Sequence, residues 1–210
     1  MRTLTFAVLV LFSITTFAET VEVDYKRFYS HVRKLNNEDT QALQFAFGFM
    51  HVREKQLCEI TEANIVTQKK TIALPVTPEY RFTVPSEKAL NLADAKVHIL
   101  LTEPANLCDM SVQLETKPEF LKNEYAGSDL AFIHQQYTAF FNEMGSFLSF
   151  MMPTVKGLMV HFADENLNIV LASGHQIQGG MLILNDESLE NLESLQLPQR
   201  PLRITALASR

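Results

Sequence analysis

Three histidines lie within short apolar runs of the sequence: His51, His98 and His161. If these runs form neighbouring strands, the three imidazoles can converge, and three histidines with an open fourth position would suit catalytic zinc. The usual spacings of zinc sites are absent, however, and no two histidines stand four residues apart. We therefore favour histidines that face solvent or form hydrogen bonds within a sheet, and we predict no metal site.

Serine and glycine motifs give no stronger signal for catalysis. Neither Ser128 nor Ser146 stands between two glycines, as the nucleophile elbow of a hydrolase requires. Gly179 and Gly180 precede an apolar strand-like run and do not open a helix, so a phosphate-binding loop is not predicted. The sequence thus predicts no catalytic residue and no cofactor, and a protein that is not an enzyme is favoured over an envelope hydrolase or a metal-dependent enzyme.

The first eighteen residues have the features of a secretory signal peptide. Arg2 is followed by an uncharged apolar run from Thr3 to Phe17, and small residues stand where a signal peptidase reads the chain. Cleavage is predicted after Ala18. The next residue is Glu19 and not cysteine, so no lipid anchor is expected there. These features predict a periplasmic or secreted protein with no membrane span after cleavage.

The overall charge argues against nucleic acid as a partner. The chain has 210 residues, of which 47% are hydrophobic, and it carries 18 basic and 24 acidic side chains for a formal charge of −6. This composition is typical of a folded globular protein. Binding to nucleic acid depends on neutralised phosphates, and no basic stripe is present.

The two cysteines are predicted to form a disulfide. Cys58 and Cys108 stand fifty residues apart in similar surroundings, residues 56–60 and 106–110, each with the order amide, leucine, cysteine, acid, apolar residue. An exported chain reaches an oxidising compartment, where paired thiols are stable as disulfides. Closing a loop of this length contributes about 4 kcal/mol in the chain-entropy model. A redox or nucleophilic thiol is the weaker alternative, because neither cysteine has a basic neighbour in sequence.

Alternating apolar and polar residues predict a β-rich fold. We expect antiparallel hairpins within residues 45–65, 97–114 and 157–172, each with a polar turn between two strand-like runs. The similar order of elements in the two halves suggests a degenerate duplication, with ordinary strand and turn patterns as the alternative. The predicted fold is α+β, with a unit over residues 19–122 and another over 123–210 that pack as one compact domain.

Each unit is predicted to begin with a helix that covers its sheet. In the first helix, apolar residues recur at spacings of three and four from Tyr25 to Leu35. The second is predicted over residues 129–152, with Ser128 as its cap and Pro153 at its end. Its apolar side is unusually wide and is either a central core face or a binding face for a lipid or a partner protein. The candidate binding residues are Phe132, Tyr137, Phe140, Phe141, Met144, Phe147 and Met151.

Four short segments along the chain are distinctive: residues 24–29, 57–60, 84–90, which begins with Val84-Pro85-Ser86-Glu87, and 107–109, which is Leu107-Cys108-Asp109. Together they resemble a secreted gammaproteobacterial family of unknown function. The resemblance implies a periplasmic setting and the cysteine pair, and it assigns no activity and no site residue.

Together these observations predict an exported, non-enzymatic binding or envelope-accessory protein. The partner would be an envelope protein or an apolar ligand. A carrier that holds a small apolar ligand or lipid between its sheet and the 129–152 helix is one alternative, and the hydrolase or metal enzyme is the other. The sequence makes no prediction of oligomeric state.

Overall fold

The computed structural model describes residues 18–145 and 153–209. Helices and antiparallel strands are mixed along the chain, so the predicted α+β class is confirmed. Within the described residues the helices are α1 (Tyr25–Val32), α2 (Lys88–Leu92), α3 (Gly127–Gly145) and α4 (Asp186–Asn191). The strands are β1 (Glu19–Asp24), β2 (Leu43–His51), β3 (Ile60–Val66), β4 (Thr71–Leu74), β5 (Phe82–Thr83), β6 (Lys96–Leu101), β7 (Cys108–Thr116), β8 (Glu124–Ala126), β9 (Thr154–His161), β10 (Ile169–Val170), β11 (Gln176–Gln178), β12 (Met181–Asn185), β13 (Ser194–Gln196) and β14 (Arg203–Ser209).

The strands form three larger sheets and one two-stranded ladder. The N-terminal sheet has the order β1-β6-β3-β4, and the central sheet has the order β5-β2-β7. The C-terminal sheet has the order β10-β11-β12-β9-β14, while β13 pairs with β8. The edge strands β7 and β14 lie beside each other without a shared ladder, so the central and C-terminal sheets meet there.

The predicted disulfide joins Cys58 to Cys108. The first predicted hairpin around it is confirmed only at its turn, where Met50 and Leu57 form an antiparallel bridge, and the second is wrong. β2 pairs with β7 over nine residues, and β3 pairs with β6. The chain therefore crosses from the central to the N-terminal sheet after β2, returns to the central sheet for β5, and crosses again to β6 and back to β7. The disulfide joins the crossing after β2 to the crossing before β7, and the Cys58 amide donates to the Phe49 carbonyl at 2.8 Å. Alternation identifies strands, but it does not determine which strands pair.

The hairpin predicted over residues 157–172 is wrong for a similar reason. β9 pairs with β12 and β14, and the two-residue strand β10 pairs with β11. Leu158 and Val160 of β9 are completely buried, whereas Ile169 and Val170 of β10 are exposed. A central strand with a buried face needs apolar partners, and β12 and β14 supply them with Leu182, Leu184 and Ile204.

The first predicted helix is confirmed, and it anchors the core of the N-terminal half. Tyr25, Phe28 and Val32 of α1 are buried, and Leu35 is buried in the short 3₁₀ turn that follows. The Phe28 ring meets the Phe47 ring of β2 edge-to-face at 4.9 Å, an arrangement that adds to the free energy of apolar burial.

The helix α3 joins the two halves of the chain. It begins at Gly127, one residue before the predicted cap Ser128, and residues 146–152 of the predicted helix lie outside the described residues. Gly127 is in close contact with the chain before β13, because a Cβ there would lie 2.0 Å from the Leu192 carbonyl oxygen. No helix among the described residues is long and apolar enough to cross a membrane.

Candidate functional site

The segment between β4 and β5, residues 75–81, forms a strap across the central sheet. A tight turn holds it closed: the Thr77 amide donates to the Arg81 carbonyl at 2.7 Å, and the Tyr80 amide donates to the Thr77 carbonyl at 2.9 Å. Tyr80 has a φ of 57°, a backbone conformation that non-glycine residues rarely adopt. The strap lies close to β2 at Gly48, where a Cβ would be 3.1 Å from the Tyr80 carbonyl oxygen.

Strand pleating places polar side chains under the strap. Phe45 and Phe47 point into the core from one face of the central sheet, so Gln44 on β2 points to the other face. Gln44 pairs with Glu115 of β7, and its side-chain amide donates to the Glu115 Oε1 atom at 2.9 Å. The two strands therefore place a carboxyl group and an amide on the side that the strap covers.

A cavity of about 300 Å³ lies between the strap, β2 and β7. We call it the strap pocket. Its size is at the lower end of the range of small-molecule sites. Its polar lining residues include Gln44, Thr77, Glu79, Arg81 and Glu115. Its apolar walls come from Pro75, Pro78, Pro118, Leu121 and Leu202.

Arg81 is the least ordinary residue of the strap pocket. Arg81 is a lining residue of the cavity and is only 8% exposed, and its Nη1 atom is buried without a hydrogen-bond partner among the described residues. It also forms no ion pair within the described part of the chain. Burial lowers the pKa of the Arg81 guanidinium, and the nearby positive charge of Arg203 lowers it further. A buried charge without a partner is costly to maintain in a folded protein.

The second arginine near the pocket already has a partner. Arg203 of β14 forms an ion pair with Glu79 of the strap, through its Nη1 atom, and this contact joins the strap to the C-terminal sheet. Next to Arg203 in the ladder, His161 shares a hydrogen bond of 3.0 Å with Thr205. Burial, together with the charge of Arg203, lowers the pKa of His161 to about 4, so its imidazole is neutral at pH 7.

Glu115 is the acidic counterpart of Arg81 in the same cavity. Burial raises the pKa of its carboxyl group, while the hydrogen bond from Gln44 and the charges of Arg203 and Arg81 lower it; Glu79 raises it. Although Arg81 and Glu115 both line the pocket, their charged atoms do not approach within the 4.0 Å of an ion pair. The site therefore presents opposite charges that do not neutralise each other by direct contact.

A second cavity, of about 520 Å³, lies beside the strap pocket and shares Gln44, Pro75 and Thr83 with it. Its other walls are largely apolar and include Leu35 after α1, Leu43 of β2 and Leu74 of β4. The segment from β4 to β5 thus separates the strap pocket, whose lining includes Arg81 and Glu115, from this larger cavity.

The three histidines of the sequence analysis lie in three different sheets. His51 is at the end of β2, where its Nδ1 accepts from the Glu54 amide at 3.1 Å, and His98 of β6 pairs with Glu22 at 3.2 Å. His161 lies in β9 of the C-terminal sheet. They do not form a group of three ligands in the part of the chain that the structure describes.

Within the same residues, three potential metal ligands do come together at Cys58, Cys108 and Glu103. The two sulfur atoms are joined in the disulfide, and Glu103 accepts hydrogen bonds from the Glu59 amide and from the Thr102 hydroxyl. Disulfide sulfurs are not thiolates, so this group lacks the donors that soft metals require.

The aromatic side of α3 contributes to the core. Tyr137 is completely buried and Phe140 is 8% exposed, with its ring 5.8 Å from that of Phe45. Phe132 is partly buried against Phe120. Of the other candidate residues, Phe141 is partly buried and Met144 is 41% exposed, while Phe147 and Met151 lie outside the described residues. The apolar binding face stays a prediction.

Sequence reasoning missed the strap pocket. The only local signal is the stretch from Pro75 to Arg81, in which two prolines and a glutamate stand beside an arginine. Prolines close to charged residues are typical of exposed loops in general. Nothing in the sequence indicates that Glu115, thirty-four residues after Arg81, lines the same cavity.

Comparison with known proteins places the chain in a family without assigning it an activity. No curated protein and no solved structure matches it. A family model described as "Protein of unknown function (DUF2987)" matches residues 17–162, a range that contains Gln44, Glu79, Arg81 and Glu115 but not Arg203. This range is more than half of the chain, and the chain belongs to the DUF2987 family of proteins of unknown function.

Proposed function

We propose that the protein is an exported, non-enzymatic binding protein of the bacterial cell envelope, and that the strap pocket is where it binds a small polar ligand. The observation that carries this proposal is Arg81, a buried residue of the cavity lining whose Nη1 atom has no hydrogen-bond partner among the described residues. Since buried charges in native proteins are nearly always paired, an unpaired one in a cavity favours a ligand group as its partner.

Export of the chain is supported by two features. The Cys58–Cys108 disulfide is of the kind that persists in oxidising compartments. The strand β1 begins at Glu19, the residue that would follow cleavage after Ala18. The proposed signal peptide consists of residues 1–18, of which residues 1–17 lie outside the described residues. A periplasmic location and a gammaproteobacterial, secreted family remain parts of this proposal.

Native mass spectrometry tests the proposal. The full chain is exported to a bacterial periplasm and purified without detergent, beside its Arg81→Met variant. We expect wild-type protein that begins at Glu19 and carries a bound small molecule, and a variant of unchanged fold without it. The exposed Arg53→Met variant is the matched control and is expected to retain the ligand. Wild-type protein that is bare after purification, and that gains no mass when incubated with periplasmic extract, would contradict the proposal.

The carrier of an apolar ligand is a second candidate function. The observation in its favour is the cavity of about 520 Å³, which has largely apolar walls and lies away from α3. The same spectra distinguish the two candidates. A bound fatty acid or phospholipid that is unaffected by Arg81→Met would favour the carrier, whereas a small polar molecule lost in that variant would favour the strap pocket.

A further inference from the structure

From the arrangement of charges in the strap pocket, we infer that its ligand is a small zwitterion with a carboxylate and an ammonium group, of the amino acid class. This inference rests on the proposed function and goes one step further, since it assigns a charge to each end of the ligand. Arg81 would bind the carboxylate and Glu115 the ammonium group.

The argument begins with the charges that are already neutralised. Glu79 is paired with Arg203 through a direct contact, so these two charges offset each other at the edge of the pocket. What remains on the cavity wall is Arg81 as the cation and Glu115 as the anion. The Gln44 amide occupies Oε1 of Glu115 and leaves Oε2 without a hydrogen-bond donor among the described residues.

A ligand of one charge sign fits this wall poorly. A simple anion would pair with Arg81, but it would also bring a negative charge into the cavity that holds Glu115. A simple cation would meet the same difficulty at Arg81. Interactions between charges are strong where water is excluded, and like charges at short range raise the free energy of binding. A ligand with both charges satisfies both groups.

The geometry of Arg81 also favours a carboxylate as the anionic group. A guanidinium is a planar set of N–H donors that matches the two oxygen atoms of a carboxylate. Arg81 is held in place by burial and by the strap, whose turn fixes the backbone at Thr77 and Arg81. The cavity of about 300 Å³ and its proline and leucine walls suit a ligand with a small apolar part between its charged ends.

The protonation state of Glu115 is expected to change the affinity for this ligand in a defined direction. The groups that act on Glu115 are Arg81 and Glu79 from the strap, Arg203 from β14, and Gln44 from β2. Because the ammonium group binds only the ionised carboxylate, affinity is expected to fall as the pH is lowered through the titration of Glu115. This dependence is expected to disappear in Glu115→Gln.

The test uses three probe mixtures on the full exported chain, with calorimetric titration and thermal unfolding as readouts. The first contains the twenty common amino acids, the second their N-acetyl derivatives, and the third their amides. The N-acetyl derivatives lack the ammonium group, and the amides lack the carboxylate. We expect binding of a component of the first mixture at least tenfold tighter than of its blocked forms. Arg81→Met and Glu115→Gln are each expected to weaken it at least tenfold, and the exposed Glu119→Gln is the matched control.

Each other outcome overturns a different statement. If the N-acetyl mixture binds as well as the free amino acids, the ligand is a simple anion, and the zwitterion inference is wrong while the pocket remains a binding site. If none of the mixtures binds but mass spectrometry shows a polar adduct that Arg81→Met removes, the inference is wrong and the proposed function stands. If neither method finds a ligand, the proposed function fails as well.

Discussion

Tyr137 and Arg81 are both buried polar side chains near the meeting of the central and C-terminal sheets, and they differ in their partners. The Tyr137 hydroxyl donates to the Ile204 carbonyl at 2.7 Å and lies 3.2 Å from the Thr116 hydroxyl. Arg81 has no hydrogen bond from its Nη1 atom and no ion pair in the described ranges. A fully bonded buried group stabilises a fold, whereas an unpartnered one lowers stability unless a ligand completes it. The comparison separates a structural polar site from a binding site.

The largest expected effect is the loss of folding stability when the fully hydrogen-bonded residue, Tyr137, is substituted. Tyr137→Phe removes the hydroxyl and leaves the Ile204 carbonyl buried without its partner, so the free energy of unfolding should fall by about 2 kcal/mol. Urea unfolding measures this loss. Tyr29→Phe, at a half-buried position of α1 whose hydroxyl has no hydrogen bond within the described residues, is the control and should cost about 0.5 kcal/mol or less. Equal losses in the two variants would remove the distinction.

The next effect concerns His161, which pairs with Arg203 in the ladder of β9 and β14. Its folded pKa of about 4 lies below the ordinary 6.5, so the stability that it contributes is complete above pH 6.5 and is lost as the pH falls towards 4. With allowance for solvent screening, wild type should lose about 1.5 kcal/mol more than His161→Gln between pH 7 and pH 4.5. Urea midpoints at both pH values measure the difference. His175→Gln is the control, and parallel pH profiles for wild type and His161→Gln would contradict the assignment.

A smaller effect with the opposite sign is expected at Glu115. Because burial raises the pKa of this carboxyl group above 4.5, the folded state resists its ionisation. The stability associated with Glu115 is complete below pH 4.5 and is lost as the pH rises through the raised pKa. Glu115→Gln should therefore be more stable than wild type at pH 7, by about 0.5 kcal/mol. Chemical denaturation at pH 4 and pH 7 measures this, and a variant less stable than wild type at pH 7 would show that Glu115 is structural.

Features that depend on local spacing could be predicted from the sequence, and features that depend on contacts between distant residues could not. The apolar stripe from Tyr25 to Leu35 and the pairing of Cys58 with Cys108 follow from local spacing and from the chemistry of two cysteines, and both are confirmed. Strand partners depend on contacts distant in sequence, so alternation alone predicts a hairpin between β2 and the strand that follows it, whereas β2 pairs along its length with β5 and β7.

The strap pocket could not be predicted from the sequence because it also depends on contacts between residues that are distant in the chain. Arg81 and Glu115 come together only because β2 pairs with β7 and the strap folds back over Gly48. Likewise, Tyr137 could be placed on an apolar helix face, but its hydroxyl partners lie on β7 and β14. Periodicity predicts which side chains are buried and does not predict which buried polar groups remain without a partner.

The central claim is that Arg81 serves to bind a ligand and does not stabilise the fold. Its most direct test is to measure, on one preparation of Arg81→Met, both the free energy of unfolding without ligand and the retention of the bound molecule in native mass spectra. Methionine removes a buried unpaired charge while filling similar space, so we predict stability equal to or above that of wild type together with loss of the bound molecule. A variant that is less stable by about 2 kcal/mol and still retains the molecule would contradict the account, because Arg81 would then be a structural residue.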